Sequence, residues 1–285
     1  MKKLIYILCM LPFFTACEDV VEIDVPTDKP RLSVDALMRI NTTEASTSYT
    51  AEVRVSASSN FFESIEPVEL DLISLTNVET RETINLFNTY NGSGIYQGDT
   101  TIDFMTSGEL ILYMEYQGEQ YAARTTYVPT VPIDKLVQGD ATLFSGDETE
   151  IIVAFKDQPD RTDFYLFDFD FNEYLVTEDT FYPGRTFEFS YFYDDNVTDG
   201  MNIEVSIMGV DQSFYNYMNQ LIVQSGGDQG PFQTPSATVR GNIVNVTGIE
   251  DLSELDDLAS IVDQDNFALG YFAVCQTFTN TIAVE

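Results

Sequence analysis

The sequence predicts a mainly β chain. An immunoglobulin-like β-sandwich comes first, then a second β-rich domain with one packed amphipathic helix. Three observations predict this. Apolar and polar residues alternate with a period of two along much of the chain, as in strands with one buried face. Turn residues interrupt that alternation at the short intervals typical of sandwich strands. A single segment switches to helical spacing, with Phe214, Tyr217, Met218, Leu221 and Ile222 on one side.

Residues 1–16 read as an address, not a fold. Lys2 and Lys3 form a basic start, and Leu4 to Phe14 is an apolar run too short to span a bilayer. It ends in Phe14-Thr15-Ala16-Cys17, with a small residue directly before a cysteine. This fits a lipoprotein signal in which Cys17 is acylated and becomes the first mature residue, and an ordinary secretory signal is the alternative. Glu18 and Asp19 follow at once and resemble the surface-export signal of Bacteroidota lipoproteins. Residues 17–30 then form a lipidated tether that Pro26 and Pro30 keep extended, although Val21, Ile23 and Val25 alternate and could pair at a sheet edge.

The sandwich is expected over 31–128. Its strands are Arg31 to Leu37, Tyr49 to Ser56, Val68 to Leu72, Ile84 to Phe87, and Leu110 to Tyr116 hairpinned to Gln120–Tyr127 through Gln117-Gly118. Asn91-Gly92-Ser93-Gly94 is a turn. The proline-bearing stretch from Val128 to Pro132 opens a linker over 129–148. The second domain, 149–285, starts with a strand at Thr149 to Phe155 and a turn around Pro159. Phe164 to Tyr174 then reads as a strand with an aromatic row at Tyr165, Phe167, Phe169 and Phe171. Phe187, Phe189, Tyr191 and Tyr193 make a second row, and both are expected to pack within one sheet face as core. Met201 to Met208 continues the sheet. A helix near 213–225 follows, capped by Asp211 or Ser213 and ended by Gly226. Beyond it come a Gly/Pro-rich loop at Gly226 to Pro235, an acidic segment at Glu250 to Asp257 and a closing strand at Tyr271 to Val284.

Composition narrows function more than it names it. Thirteen Lys+Arg stand against 47 Asp+Glu, a net charge of −34, with no His. Removing residues 1–16 takes away Lys2 and Lys3 and no acid, so −34 becomes −36. Such acidity argues against nucleic acid. The lack of His removes the commonest general base and the Ser–His and Cys–His nucleophile pairs. A hydrophobic fraction of 44% argues against disorder. With Cys9 in the signal and Cys17 acylated, Cys275 is the last thiol, expected as a small buried hydrophobe.

The order of several segments is similar to one family. They are Arg31 to Asp35, Gly94-Ile95-Tyr96, Tyr121 onward to Pro132-Ile133-Asp134, Phe214 to Met218, the Pro231–Pro235 loop, Gly241-Asn242-Ile243 and Ala268 to Phe272. Together they resemble the Bacteroidota outer-membrane lipoprotein family catalogued as domain of unknown function 4249. The resemblance implies a carboxypeptidase-regulatory-like first domain. It also implies an accessory or ligand-capture role beside a TonB-dependent β-barrel transporter, and it brings no catalytic residues. The chain departs from the family at Ser33-Val34-Asp35-Ala36, where Ala36 replaces a permissive glycine. That puts the turn after the first strand in question.

No catalytic or cofactor-binding residue is assigned, and no metal ligand. The loop Asp194 to Gly200 invites calcium, but Val205 sits where an EF-hand needs its bidentate Glu, so a solvated hairpin turn is the better reading. Asp157 to Asp163 raises the same question. Asp99-Thr100-Thr101 looks like a short O-glycosylation signal and is better read as a polar turn. The expected function is non-enzymatic: a surface lipoprotein assisting a transporter. Its alternatives are a structural or adhesive surface protein and a glycan hydrolase working through paired carboxylates.

Overall fold

The computed structural model describes residues 29–43, 46–59, 64–143, 146–194, 197–225, 238–249 and 266–285. The first half runs β1 (Leu32–Ile40), β2 (Ser48–Ala57), β3 (Glu66–Pro67), β4 (Leu72–Asn77), β5 (Thr83–Asn85), β6 (Phe87–Asn88) and β7 (Ile95–Thr101). A short helix α1 (Ile102–Thr106) leads to β8 (Glu109–Tyr116) and β9 (Glu119–Val128). The second half holds β10 (Ile133–Gln138), β11 (Thr149–Lys156), β12 (Phe164–Asp168), β13 (Tyr174–Glu178), β14 (Thr186–Tyr193) and β15 (Asn202–Val210). Helix α2 (Gln212–Ser225), β16 (Val244–Asn245) and β17 (Leu269–Ala283) complete it. The fold is mainly β with a large sheet and one substantial helix, as the alternation predicts.

Strand β17 ties the halves together. Its first residues pair parallel with β1, from Ser33–Leu269 to Ile40–Gln276, and its last pair antiparallel with β15, from Met208–Thr277 to Asn202–Ala283. The main sheet therefore runs β5-β4-β8-β9-β17-β1-β2-β7-β6, with β15, β12 and β13 branching from β17. A second sheet, β10-β11-β14, packs beside it. Side chains on alternate positions of β17 serve different cores. Phe272 and Val274 enter the first core, built from β1, β2, β4 and β8 among others, while Phe278 and Ile282 reach the second. Tyr271, Ala273 and Cys275 face the opposite way, into a third core under α2. So the closing strand, expected in the second domain, also completes the first.

Gly270 makes the β1–β17 pairing feasible. It holds φ +96°, and a Cβ there would lie 1.8 Å from the Val34 carbonyl oxygen. The β8–β9 hairpin is as expected: Gln117 and Gly118 both have positive φ, the type I′ signature that matches strand twist.

Other elements differ from the sequence reading, each for a physical reason. Strand β1 passes straight through Ala36, which is fully buried, so no turn follows Asp35. Val68 to Asp71 is irregular, and the strand begins only at Leu72. Val68 and Leu70 still pack on the core, but the Leu70 N–H donates to the Tyr96 hydroxyl at 2.7 Å and so is not free for a ladder. Part of the stretch read as a linker is strand β10, whose Ile133 and Leu136 join the second core. The run from Phe164 to Tyr174 is broken by positive φ at Asp170, Phe171 and Asn172 into the β12–β13 hairpin. The aromatic rows are core, but they face each other from two sheets instead of lying along one. Phe169 stacks on Tyr191 at 3.9 Å, and Phe167 meets Phe189 edge-on at 5.2 Å. Phe171 is 41% exposed at the hairpin turn.

Candidate functional site

Helix α2 starts where Asp211 accepts the Phe214 N–H at 2.7 Å, a standard N-cap. Its apolar side meets the sheet at β17: Phe214 packs edge-on to Tyr271 with centroids 4.8 Å apart, and Tyr217 lies 5.0 Å from the same ring. The helix does not extend over all of the outward face of β1 and β2. What is left is a half-open cleft of about 670 Å³. Its floor carries the outward positions of β1, namely Ser33, Asp35, Leu37 and Arg39, with Glu52 and Arg54 of β2 beside them. Tyr217, Met218 and Leu221 form the helix wall, and Asn172 and Tyr174 close one end.

The charges in this cleft are arranged unequally. Arg39 pairs with Asp168 of β12 at 2.7 Å, joining the two halves. Arg54 pairs with Glu52 at 2.9 Å, and Glu52 also accepts from the Gln97 amide at 2.6 Å. The Gln97 hydrogen bond is the main reason the Glu52 carboxyl lies below its ordinary range, with Arg54 adding to it against burial. Asp35 has no ion pair or hydrogen bond among the described residues, although register sets it between Arg54 on β2 and Tyr271 on β17. Burial, and after it the Asp35 charge, pushes the Tyr217 hydroxyl up to about 12. Tyr174 rises for the same first reason, helped by Asp168 and Asp35 and opposed by Arg39. The result is an amphipathic hollow: aromatic and aliphatic walls, two internally compensated arginines and one uncompensated carboxylate.

The segments singled out from sequence lie elsewhere. Cys17, Glu18 and Asp19 fall outside the described residues, as do Gly226 to Pro235 and Glu250 to Asp257. The Asp194–Gly200 segment, described except for 195 and 196, is not a hairpin turn. It crosses from β14 in one sheet to β15 in the other, and Val197 sinks into the second core. Among the described residues no group of three or more acidic or cysteine side chains is placed to hold a metal ion. Asp157 and Asp163 are buried, and both meet the Tyr165 hydroxyl. Asp157 further accepts the Gly184 N–H at 2.7 Å, and Asp163 pairs with Arg161 at 2.5 Å. Burial raises the Asp163 carboxyl against the pull of Arg161. This is an internal network with its partners in place. Asp99 and Thr100 lie in strand β7, not a turn, and Thr101 caps α1. Cys275 is fully buried, and burial raises its thiol.

The cleft residues were not found from sequence. The available signal was the polar alternation of Ser33, Asp35 and Arg39 on a strand whose other face is wholly apolar. Among the described residues no helix is long and apolar enough to cross a membrane.

A search of curated proteins finds no match. Among solved structures, the chain is similar to a DUF4785 family protein from Legionella pneumophila, at 12% identity and TM-score 0.23, over 62% of this chain and 52% of that one. It is also similar to part of a 1.5-MDa bacterial ice-binding adhesin described for host cell surface retention, at 14% identity and TM-score 0.21, over 65% of this chain and 61% of the other. The chain thus spans about half to three fifths of these structures. A family model matches residues 18–252, and the chain belongs to that family, described as a domain of unknown function (DUF4249).

Proposed function

We propose that this chain is a lipid-anchored outer-membrane protein facing the cell exterior. In this reading it captures a ligand in the α2–β1–β2 cleft and hands it to a TonB-dependent β-barrel transporter. The observation that carries the capture step is the cleft itself, about 670 Å³ and half open, its lining divided between polar and apolar surface. The anchor rests on Ala16-Cys17 after the apolar run, and the outer leaflet on Glu18-Asp19. No group in the cleft is paired as a nucleophile with a base, which favours binding over turnover.

Radiolabelled palmitate on growing cells, followed by protease shaving of intact cells, tests the placement. Wild type should incorporate label and be digested without lysis, and Cys17→Ser should lose both. Label in the Cys17→Ser chain, or full protection on intact cells, would contradict the placement.

A further inference from the structure

We propose that the cleft takes a small organic cation, an ammonium carried on an apolar stem, with Asp35 as its counter-ion and Tyr217 and Tyr271 as its aromatic walls. This rests on the capture reading above and adds the chemistry of the ligand. The argument is one of charge matching. Two arginines reach into the cleft, and each already has a carboxylate partner, Asp168 for Arg39 and Glu52 for Arg54. An anionic ligand would have to compete with these carboxylates for the arginines. Asp35 is exposed on the cleft floor opposite Arg54 and has no ion pair or hydrogen bond among the described residues, so a cation would meet a carboxylate with no bonded rival.

The walls agree. Tyr271 is the cross-strand neighbour of Asp35, Tyr217 stands 5.0 Å from the Tyr271 ring, and both tyrosines line the cleft that holds the carboxylate. Cations gain most over aromatic faces that are partly desolvated. Both rings are neutral phenols at physiological pH, since the ordinary phenol value is already 10.0 and burial raises both further, Tyr217 to about 12. Leu221 and Met218 supply the apolar surface for a stem. The net charge of −34 steers cations toward the whole molecule and disfavours anions in the encounter.

The test uses the full chain in detergent and three probes of one shape: phenylbutylamine, phenylbutanol and phenylbutyrate, titrated by calorimetry at neutral pH. The amine should bind best, the alcohol roughly tenfold more weakly and the carboxylate weakest. Asp35→Asn should bring the amine down to the level of the alcohol and leave the alcohol unchanged. Asp134→Asn removes the same charge from an exposed position on β10 and should leave the amine at full affinity. Circular dichroism confirms that both variants fold. Equal binding of amine and alcohol, with Asp35→Asn silent, would overturn the cation assignment and leave the cleft as a capture site. An equal loss in Asp134→Asn would reduce the effect to net charge and also overturn it. Binding of none of the three by the folded chain would count against both the assignment and the cleft.

Discussion

Asn77 shows how much one buried polar residue can organise. Its amide donates to the carbonyl of Phe104 at 2.9 Å and to that of Ser107, while its carbonyl accepts the N–H groups of Glu79 and Thr80 at 3.0 Å. It thereby binds the β4–β5 turn to the end of α1 with no exposure to water. Asn77→Ala should cost about 2–3 kcal/mol, since the amide is lost and buried backbone groups are left unpaired. A urea melt checks this. Tyrosines set the alkaline limit. Tyr49 and Tyr182 are raised from 10.0 to about 12, chiefly by burial, and Tyr217 likewise. Above pH 10 the unfolded chain gives up protons that the folded chain retains, so stability is full below pH 10 and falls as pH rises toward 12. Thermal melts across that window, with tyrosinate absorbance recorded in parallel, should show unfolding and ionisation rising together. Cys275 belongs with these groups: as a buried thiol it should ignore thiol reagents until the chain is denatured.

At the scale of elements, the aromatic interface and β17 decide stability. Phe169 is fully buried between Tyr191 and Tyr193 of the opposing sheet, so Phe169→Ala should cost about 3–5 kcal/mol. Gly270→Ala should destabilise by more than the ~1 kcal/mol of an ordinary Gly→Ala change, because φ is positive and the Val34 carbonyl blocks a Cβ. Both are read from denaturation midpoints. Most of the strands were legible from alternation alone, β1, β2, β8, β9, β11, β14 and β15 among them, and so was α2 with its Asp211 cap. Two-residue periodicity says which side chains share a face, but not which sheet a strand joins. That is why the two aromatic rows were placed on one sheet, and why β17 was given to one domain when it serves two. Val68 to Leu72 alternates as a strand would, yet the ladder begins only at Leu72 because the Leu70 N–H is taken by the Tyr96 hydroxyl. The cleft was least legible. Tyr217 and Met218 have the spacing of a core stripe, and only the tertiary arrangement brings Tyr217 into the lining of the same cleft as Asp35.

The main sheet runs through both halves with cores on both of its faces, so β17 cannot leave one half without disturbing the other. A single cooperative unfolding transition is expected for the described residues, and calorimetry showing two separate transitions would contradict it. The net charge of −34 would repel an anionic bilayer, as the proposed membrane anchor requires of a body held off the surface. The Arg39–Asp168 pair spans the two halves beside the cleft. The claim that this binding serves a transporter is tested most directly by affinity purification of the acylated chain from solubilised native outer membranes. A TonB-dependent β-barrel recovered in stoichiometric amounts is the predicted result. Recovery of the chain alone, from membranes in which such transporters are abundant, would contradict it.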